Sequence, residues 1–212
     1  MFKSAVIVGN GDFPKKAYPL YLLHTADYII CCDGAIRHLD RIGITPDAIV
    51  GDLDSISKSL KKKYSDKVHH CPDQETNDLT KAFKHLQENY PDFDCVHIIG
   101  ATGLKEDHTI ANISLLTEYA KELEASDRRI DMVSDFSTII ALTNSSTLEV
   151  GKGRKVSIFT ADASLKIKSA GLEWPTDSVV FDNWWKGSLN RASEDSISLY
   201  FSHPSTAILI LD

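Results

Sequence analysis

The chain has 212 residues, 42% apolar and 25% charged, enough apolar material to bury a core and too much for wholesale disorder. Its 30 acidic residues against 23 basic ones leave a net charge of −7, which argues against the broad basic face that nucleic-acid backbones require. A small anionic ligand stays compatible with this charge, because a bound divalent cation reverses the local field.

The first predicted strand, Ser4–Val8, contains the apolar stretch Ala5–Val8, which begins almost at Met1, so no signal peptide is expected. No apolar run approaches the ~20 residues of a membrane span. Cys31, Cys32, Cys71 and Cys95 show no CxxC spacing and fall in apolar, strand-like stretches, the pattern of reduced thiols used as small hydrophobes. A soluble, cytoplasmic protein without nucleic-acid or membrane partners is the expectation. Further strands are predicted at Tyr28–Cys32, Ala48–Val50, Val68–Cys71, Val96–Ile99 and Arg129–Val133, with helical periods over Asn77–Glu88 and Asp107–Leu123. Lys58 and Lys61–Lys63, the only basic run, read as a solvated helix end. Strands alternating with helices predict an α/β domain with a mostly parallel, Rossmann-like sheet. From about Thr138 the pattern changes to short strand signals, at Thr147–Val150, Lys155–Phe159, Leu165–Ile167, Ser196–Phe201 and Ala207–Leu211, separated by turn residues. These predict an all-β antiparallel sandwich, small enough to need a neighbour or partner chain, with the seam near residues 134–146.

Ligands bind at the carboxyl ends of parallel strands. Those ends carry Gly9-Asn10-Gly11-Asp12, Asp33-Gly34, Gly51-Asp52-Leu53-Asp54-Ser55, Asp73-Gln74 and Gly100-Ala101-Thr102-Gly103. Asp52 and Asp54 are two apart, so on extended backbone both carboxylates point the same way. With Asp33 ending the preceding strand and Asp78 opening a nearby helix, they suit a hard cation such as Mg²⁺. Lys81 shares the helix face of Asp78, and the two read equally as a surface ion pair or as a metal ligand beside a phosphate clamp. Asn77 or Thr76 is the candidate helix cap. The Gly100–Gly103 loop before a helix is a candidate phosphate cradle, although it matches neither a Walker loop nor GxGxxG. No Ser-His-Asp or Cys-His arrangement stands out, and of the eight histidines only His108, beside Asp107, falls near these loops. Trp174, Trp184 and Trp185 lie in turn-rich segments; they read as core or as an aromatic wall for a flat, cationic ring.

In their order and spacing these segments resemble the thiamin pyrophosphokinase family. The resemblance rests on Asn10-Gly11, Asp33-Gly34-Ala35, Gly51-Asp52-Leu53-Asp54-Ser55 and Asp73-Gln74 with Asp78-Leu79-Thr80-Lys81. It continues through Gly100-Ala101-Thr102-Gly103 with Asp107-His108 and Asn112, and through Gly171-Leu172-Glu173-Trp174 and Asn190. It implies transfer of a pyrophosphoryl group from ATP to thiamine, giving thiamine diphosphate and AMP. Residues 1–136 would form the nucleotide- and metal-binding catalytic domain, and residues 137–212 a thiamine-binding and dimerisation domain of a homodimer. Asp52, Asp54 and Asp78 would hold Mg²⁺, and Asp33, Asp54, Asp78 and Lys81 would serve catalysis. Asn10, Gly11, Gln74, Gly100, Ala101, Thr102, Gly103, Lys105, Asp107 and His108 would face the nucleotide. Asp33, Gln74, Trp174, Ser188 and Asn190 would face thiamine, in a cleft between the α/β domain of one chain and the sandwich of the other.

Four residues depart from the family pattern. Leu104-Lys105 stands where Gly-Arg is common, keeping the charge without the bidentate fork. Leu189 stands where a serine is usual, and Asn77 where a threonine is frequent. The competing readings are a phosphohydrolase with Asp52 as a phosphorylated nucleophile, and a non-catalytic thiamine- or nucleotide-sensing module.

Overall fold

Short runs of apolar residues, continuously buried in the central strands, set the architecture. The computed structural model describes residues 2–212. It divides into two compact units, the first holding the chain up to Leu115 together with Asp127–Asp135, the second Leu116–Ser126 with Phe136–Asp212.

In the first unit the elements run β1 (Ser4–Val8), α1 (Ala17–Thr25), β2 (Tyr28–Cys32), α2 (Ile36–Arg41), β3 (Ala48–Gly51), α3 (Lys58–Lys63), β4 (Val68–His70), α4 (Asp78–Asn89), β5 (Cys95–Ile99), α5 (Glu106–Glu124) and β6 (Arg129–Val133). The last turns of α5, from Leu116, fall in the second unit. The strands lie in the order β4-β3-β2-β1-β5-β6 and every pairing among them is parallel. Such a sheet is buried on both faces. Val6, Val8, Cys31 and Ile49 pack with Leu23, Ile36, Leu39 and Tyr64 from α1, α2 and the end of α3. Their neighbours Ala5, Ile7, Ile30, Ala48 and Val50 are equally buried, and α4, which lies against β1–β3, buries Leu79, Ala82, Phe83 and Leu86. The chain steps outward from β1 to β4 and then returns to the other side of β1 as β5. The strand order therefore reverses between β1 and β5, and at such a switch the loops leave a crevice.

The second unit continues with β7 (Thr138–Leu142), β8 (Ser146–Glu149), β9 (Lys155–Phe159), β10 (Ile167–Ala170), β11 (Asn190–Arg191), β12 (Ser196–Phe201) and β13 (Ala207–Leu211). Two antiparallel sheets, β7-β13-β9-β11 and β10-β12-β8, enclose a core that includes Val156, Ile158, Ile167, Ile197, Leu199 and Leu209. The fold is thus an α/β part with a mostly parallel sheet followed by an antiparallel β part. Strand β10 starts later than the sequence pattern predicts, because Asp162 builds a turn: its carboxylate accepts from Ser164 N (2.9 Å) and its carbonyl from Leu165 N (3.1 Å). Cys71, predicted to end a strand, lies just past β4, with its N–H on Gly51 O (2.8 Å). All four cysteines are free, with Cys31, Cys32 and Cys95 buried. Among the described residues no helix is long and apolar enough to cross a membrane.

Candidate active site

Where β1 and β5 end, their loops stay zipped together. Gly9 N bonds Ile99 O (2.8 Å), Gly11 N bonds Gly100 O (2.6 Å) and Asp12 N bonds Thr102 O (2.8 Å). Glycine is required at position 11, since a Cβ there would lie 2.6 Å from Thr102 O and 2.7 Å from Gly100 O. This pairing walls one side of a cleft of about 440 Å³. Of the residues singled out in the sequence, Asn10, Gly11, Asp52, Gln74, Asp78, Lys81, Ala101, Thr102, Lys105 and His108 line it, and Asp33 and Asp54 do not. Gly100 and Gly103 are not among the lining residues, and both turn at positive φ (63° and 88°). Asp107 is exposed and bonds His108 N (2.8 Å) and His108 Nδ1 (2.9 Å).

Asp33 follows β2, and only 2% of it is exposed. One carboxylate oxygen accepts from Ser55 N (2.9 Å), while the other, Oδ1, is buried with no hydrogen-bond partner. Burial, followed by repulsion from Asp78, Asp54 and Asp52, raises its pKa above the ordinary carboxylate value despite the Ser55 bond. Ligand oxygens of Asp33, Asp52 and Asp54 lie within 4.8 Å of one another. The sequence reading expects a group of Asp52, Asp54 and Asp78; the compact trio instead contains Asp33.

Asp52 and Asp54 do converge, but not through strand periodicity. Strand β3 ends at Gly51, and Leu53 adopts φ +65°, a left-handed conformation costly for a branched side chain. Leu53 is 8% exposed and packs in the core with Ile56 and Tyr64. A buried leucine thus anchors a turn that presents the carboxylates on either side of it. Asp52 accepts from Gln74 Nε2 and Asp54 N (3.4 Å each), and these bonds lower its pKa. Asp54 accepts from Ser55 Oγ (2.8 Å).

Asp78 opens α4, which Asn77 caps by accepting from Thr80 N (2.9 Å). Lys81, one turn on and 7% exposed, holds Nζ 3.4 Å from Asp78 Oδ1. Burial raises the Asp78 pKa, Asp52 and Asp54 add to the shift, and Lys81 opposes it. A Cβ on Gly51 would lie 2.8 Å from Asp33 Cβ and 3.1 Å from Asp78 Oδ1, so that glycine lets both acids close on the strand end.

A buried carboxylate oxygen without a partner, beside two further carboxylates, is the donor set of a hard cation that takes oxygen ligands. The residues therefore fit Mg²⁺. The cleft also includes Cys32, Ser55, Thr76, Asn77, Thr109 and Asn112. Ser55 and Asn112 stand in the family-like motifs without an assigned role, Thr76 and Asn77 read from sequence only as the helix cap, and Cys32 and Thr109 are brought in by tertiary packing. Two relays that sequence spacing hides lie outside the residues that line the cleft. Cys95 Sγ approaches His97 Nε2 (3.5 Å), whose Nδ1 meets Asp131 Oδ1 (2.7 Å) across β5 and β6. In the second unit, Ser202 Oγ meets His203 Nδ1 (3.0 Å), and His203 Nε2 meets Asp162 Oδ2 (2.9 Å).

Trp174, Ser188 and Asn190 lie in the second unit. Trp174 N donates to Asn190 Oδ1 (3.2 Å) and Asn190 Nδ2 returns a bond to Trp174 O (2.6 Å), while Ser188 Oγ donates to Trp185 O (2.7 Å). All three tryptophans are more than half exposed, which excludes the core reading for them. Leu189 is 73% exposed at φ +62°.

Comparison with known proteins decides the family. The model of the thiamin pyrophosphokinase catalytic domain matches residues 20–126, and that of the thiamin pyrophosphokinase substrate-binding domain matches residues 138–205. The chain belongs to the thiamin pyrophosphokinase family. It is 30% identical over 203 residues to thiamine pyrophosphokinase 1 of Oryza sativa subsp. japonica, covering 82% of this chain and 74% of that one. It is 32% identical over 105 residues to thiamin pyrophosphokinase 1 of Caenorhabditis elegans, covering 46% and 43%. Among solved structures, the thiamine pyrophosphokinase of Bacillus subtilis superposes with a TM-score of 0.77 at 19% identity, covering 99% of each chain. The yeast thiamin pyrophosphokinase gives 0.75 at 18% identity, covering 99% of this chain and 86% of that one. At these identities the structural matches establish the shared fold. Family membership favours pyrophosphoryl transfer over the phosphohydrolase and sensor readings.

Proposed function

We propose that the protein transfers a pyrophosphoryl group from Mg²⁺-bound ATP to thiamine, and that the cleft at the β1/β5 switch is its nucleotide site. The observation that carries this reading is the carboxylate trio Asp33, Asp52 and Asp54, of which Asp52 lines that cleft, with the buried Asp33 Oδ1 left without a partner. Asp33, Asp52 and Asp54, with Asp78 beside them, would hold Mg²⁺, which neutralises phosphate charge when bound.

The hydroxyethyl oxygen of thiamine attacks the β-phosphorus of ATP, the bond to the α-phosphate oxygen breaks, and AMP leaves. The alcohol proton passes to a carboxylate of the cluster. Lys81 sets a fixed positive charge beside the cleft where phosphate charge develops. Lys105 offers a point charge to the phosphates from the Gly100–Gly103 side. The exposed Trp174, tied to Asn190, suits a cationic thiazolium ring. Val180, Trp184, Trp185 and Leu189 of the same unit are also exposed, and so many large exposed apolar side chains support a homodimer. Four free thiols agree with a reducing, cytoplasmic setting.

Incubation with ATP, Mg²⁺ and thiamine should yield AMP and thiamine diphosphate in equal amounts. Release of ADP, or of phosphate independent of thiamine, would overturn the reading.

A further inference from the structure

The helix cap at the start of α4 has a second bond to make. Asn77 uses its side-chain oxygen to cap Thr80 N, which leaves the amide nitrogen to donate to Asn112 Oδ1 on α5 (3.2 Å). Asn112 Nδ2 then donates to Ala101 O (2.7 Å), and the flanking carbonyls of Gly100 and Thr102 hold Gly11 N and Asp12 N. A continuous hydrogen-bonded path thus runs from the residue before Asp78 to both loops of the β1/β5 switch. A threonine at position 77 would supply the cap, but its hydroxyl is a single atom close to the backbone, whereas asparagine caps with Oδ1 and reaches Asn112 with the separate Nδ2.

We infer that Asn77 is a positioning residue, which through Asn112 holds the Gly100–Gly103 loop in register with Asp78. The inference rests on the cleft being the Mg·ATP site. In the free protein the Asn77–Asn112 bond is exposed, so water replaces it at small cost; a nucleotide that displaces that water makes the bond count. Losing it leaves the two walls to be ordered at the moment of binding.

Asn77→Ser tests this, since serine caps as well as asparagine and adds no charge. Three measurements suffice: calorimetric titration with Mg·ATP, thermal melting, and amide hydrogen exchange of residues 100–103 without ligand. The variant should bind Mg·ATP about three- to ten-fold more weakly, with Tm within about 2 °C of the parent. Loop exchange should quicken. In an Asn112→Ser background, Asn77→Ser should add nothing further. Unchanged loop exchange, or losses in the two variants that simply add, would overturn the inference. Unchanged Mg·ATP affinity in Asn77→Ser, with a parent protein that binds Mg·ATP, would do so as well. A parent protein that binds no Mg·ATP would overturn the reading of the cleft instead, while loop exchange still judges the clasp.

Discussion

Asp33→Asn should make the metal-free protein more stable. Asparagine has the same shape, and its carbonyl oxygen can keep the Ser55 N–H bond that Asp33 accepts at 2.9 Å. The amide nitrogen then replaces the buried, partnerless Oδ1 and presents donors toward the Asp52, Asp54 and Asp78 carboxylates, where the native side chain presents a fourth negative charge. Leaving a buried polar atom unsatisfied costs roughly 1–3 kcal/mol, and more when it is charged. The variant should therefore gain about 2 kcal/mol in EDTA at neutral pH, or roughly 4–8 °C in Tm at 2–4 °C per kcal/mol. The pH dependence has a fixed sign. The Asp33 pKa is raised in the folded state, so the native protein is not penalised below the ordinary carboxylate value and loses stability as pH rises through the raised value. The gap between variant and parent should thus be small below the ordinary carboxylate value and widen as pH rises through the raised one. Mg²⁺ should reverse the order: ligand at a hundredfold above its Kd stabilises by about 2.7 kcal/mol, a gain the parent takes and the variant largely forgoes. Melting curves by circular dichroism, with EDTA and with saturating Mg²⁺, read both effects. A variant that melts lower in EDTA, or one whose Mg²⁺ shift equals the parent's, would refute the argument.

Two further outcomes follow from other sites. Gly51→Ala places a methyl 2.8 Å from Asp33 Cβ and 3.1 Å from Asp78 Oδ1, so it should cost about 1–3 kcal/mol in urea unfolding and weaken Mg²⁺ binding at least several-fold; wild-type affinity would show that the strand end has slack. His97 is drawn down by burial, but its bonds to Asp131 and Cys95 outweigh that and lift its pKa from 6.5 to about 10. The stability this pair supplies is complete below pH 6.5 and is lost as pH rises toward 10, so Tm should fall across that window and fall less in His97→Gln; parallel curves would discard the ion pair as a contributor.

Local pattern carried much of the fold. Strands β1, β2, β6, β9, β12 and β13 occupy the residues read from their apolar runs, because turn residues bound each run sharply. Helices α4 and α5 follow from their periodicity. Helix α1 left little trace: its segment is apolar around most of its circumference, carries Pro19 in its first turn, and fully buries only Pro19 and Leu23. Strand β7 sits in the stretch read as a seam, and β11 is two residues long. The acids of the site were legible because strand-end carboxylates in three successive units have no packing purpose. Their arrangement was not. Asp52 and Asp54 converge through the left-handed Leu53 rather than an extended chain, and Asp33 joins them through a tertiary approach that only Gly51 permits. The Asn77–Asn112 bond spans 35 positions and links two helices, so no local signal announces it.

If the acidic trio holds Mg²⁺ as proposed, Leu53 would tie ion affinity to residues that never meet an ion. Its side chain shares a core cluster with Ile56 and Tyr64, and its backbone sets the angle between two of the three converging carboxylates. Any change of volume in that cluster is transmitted to the spacing of the oxygens, because a close-packed interior passes strain on rather than absorbing it. Selection for tight Mg²⁺ binding would therefore act on greasy positions as firmly as on the acids, and drift in the core would be felt first as a loosened grip on the cation.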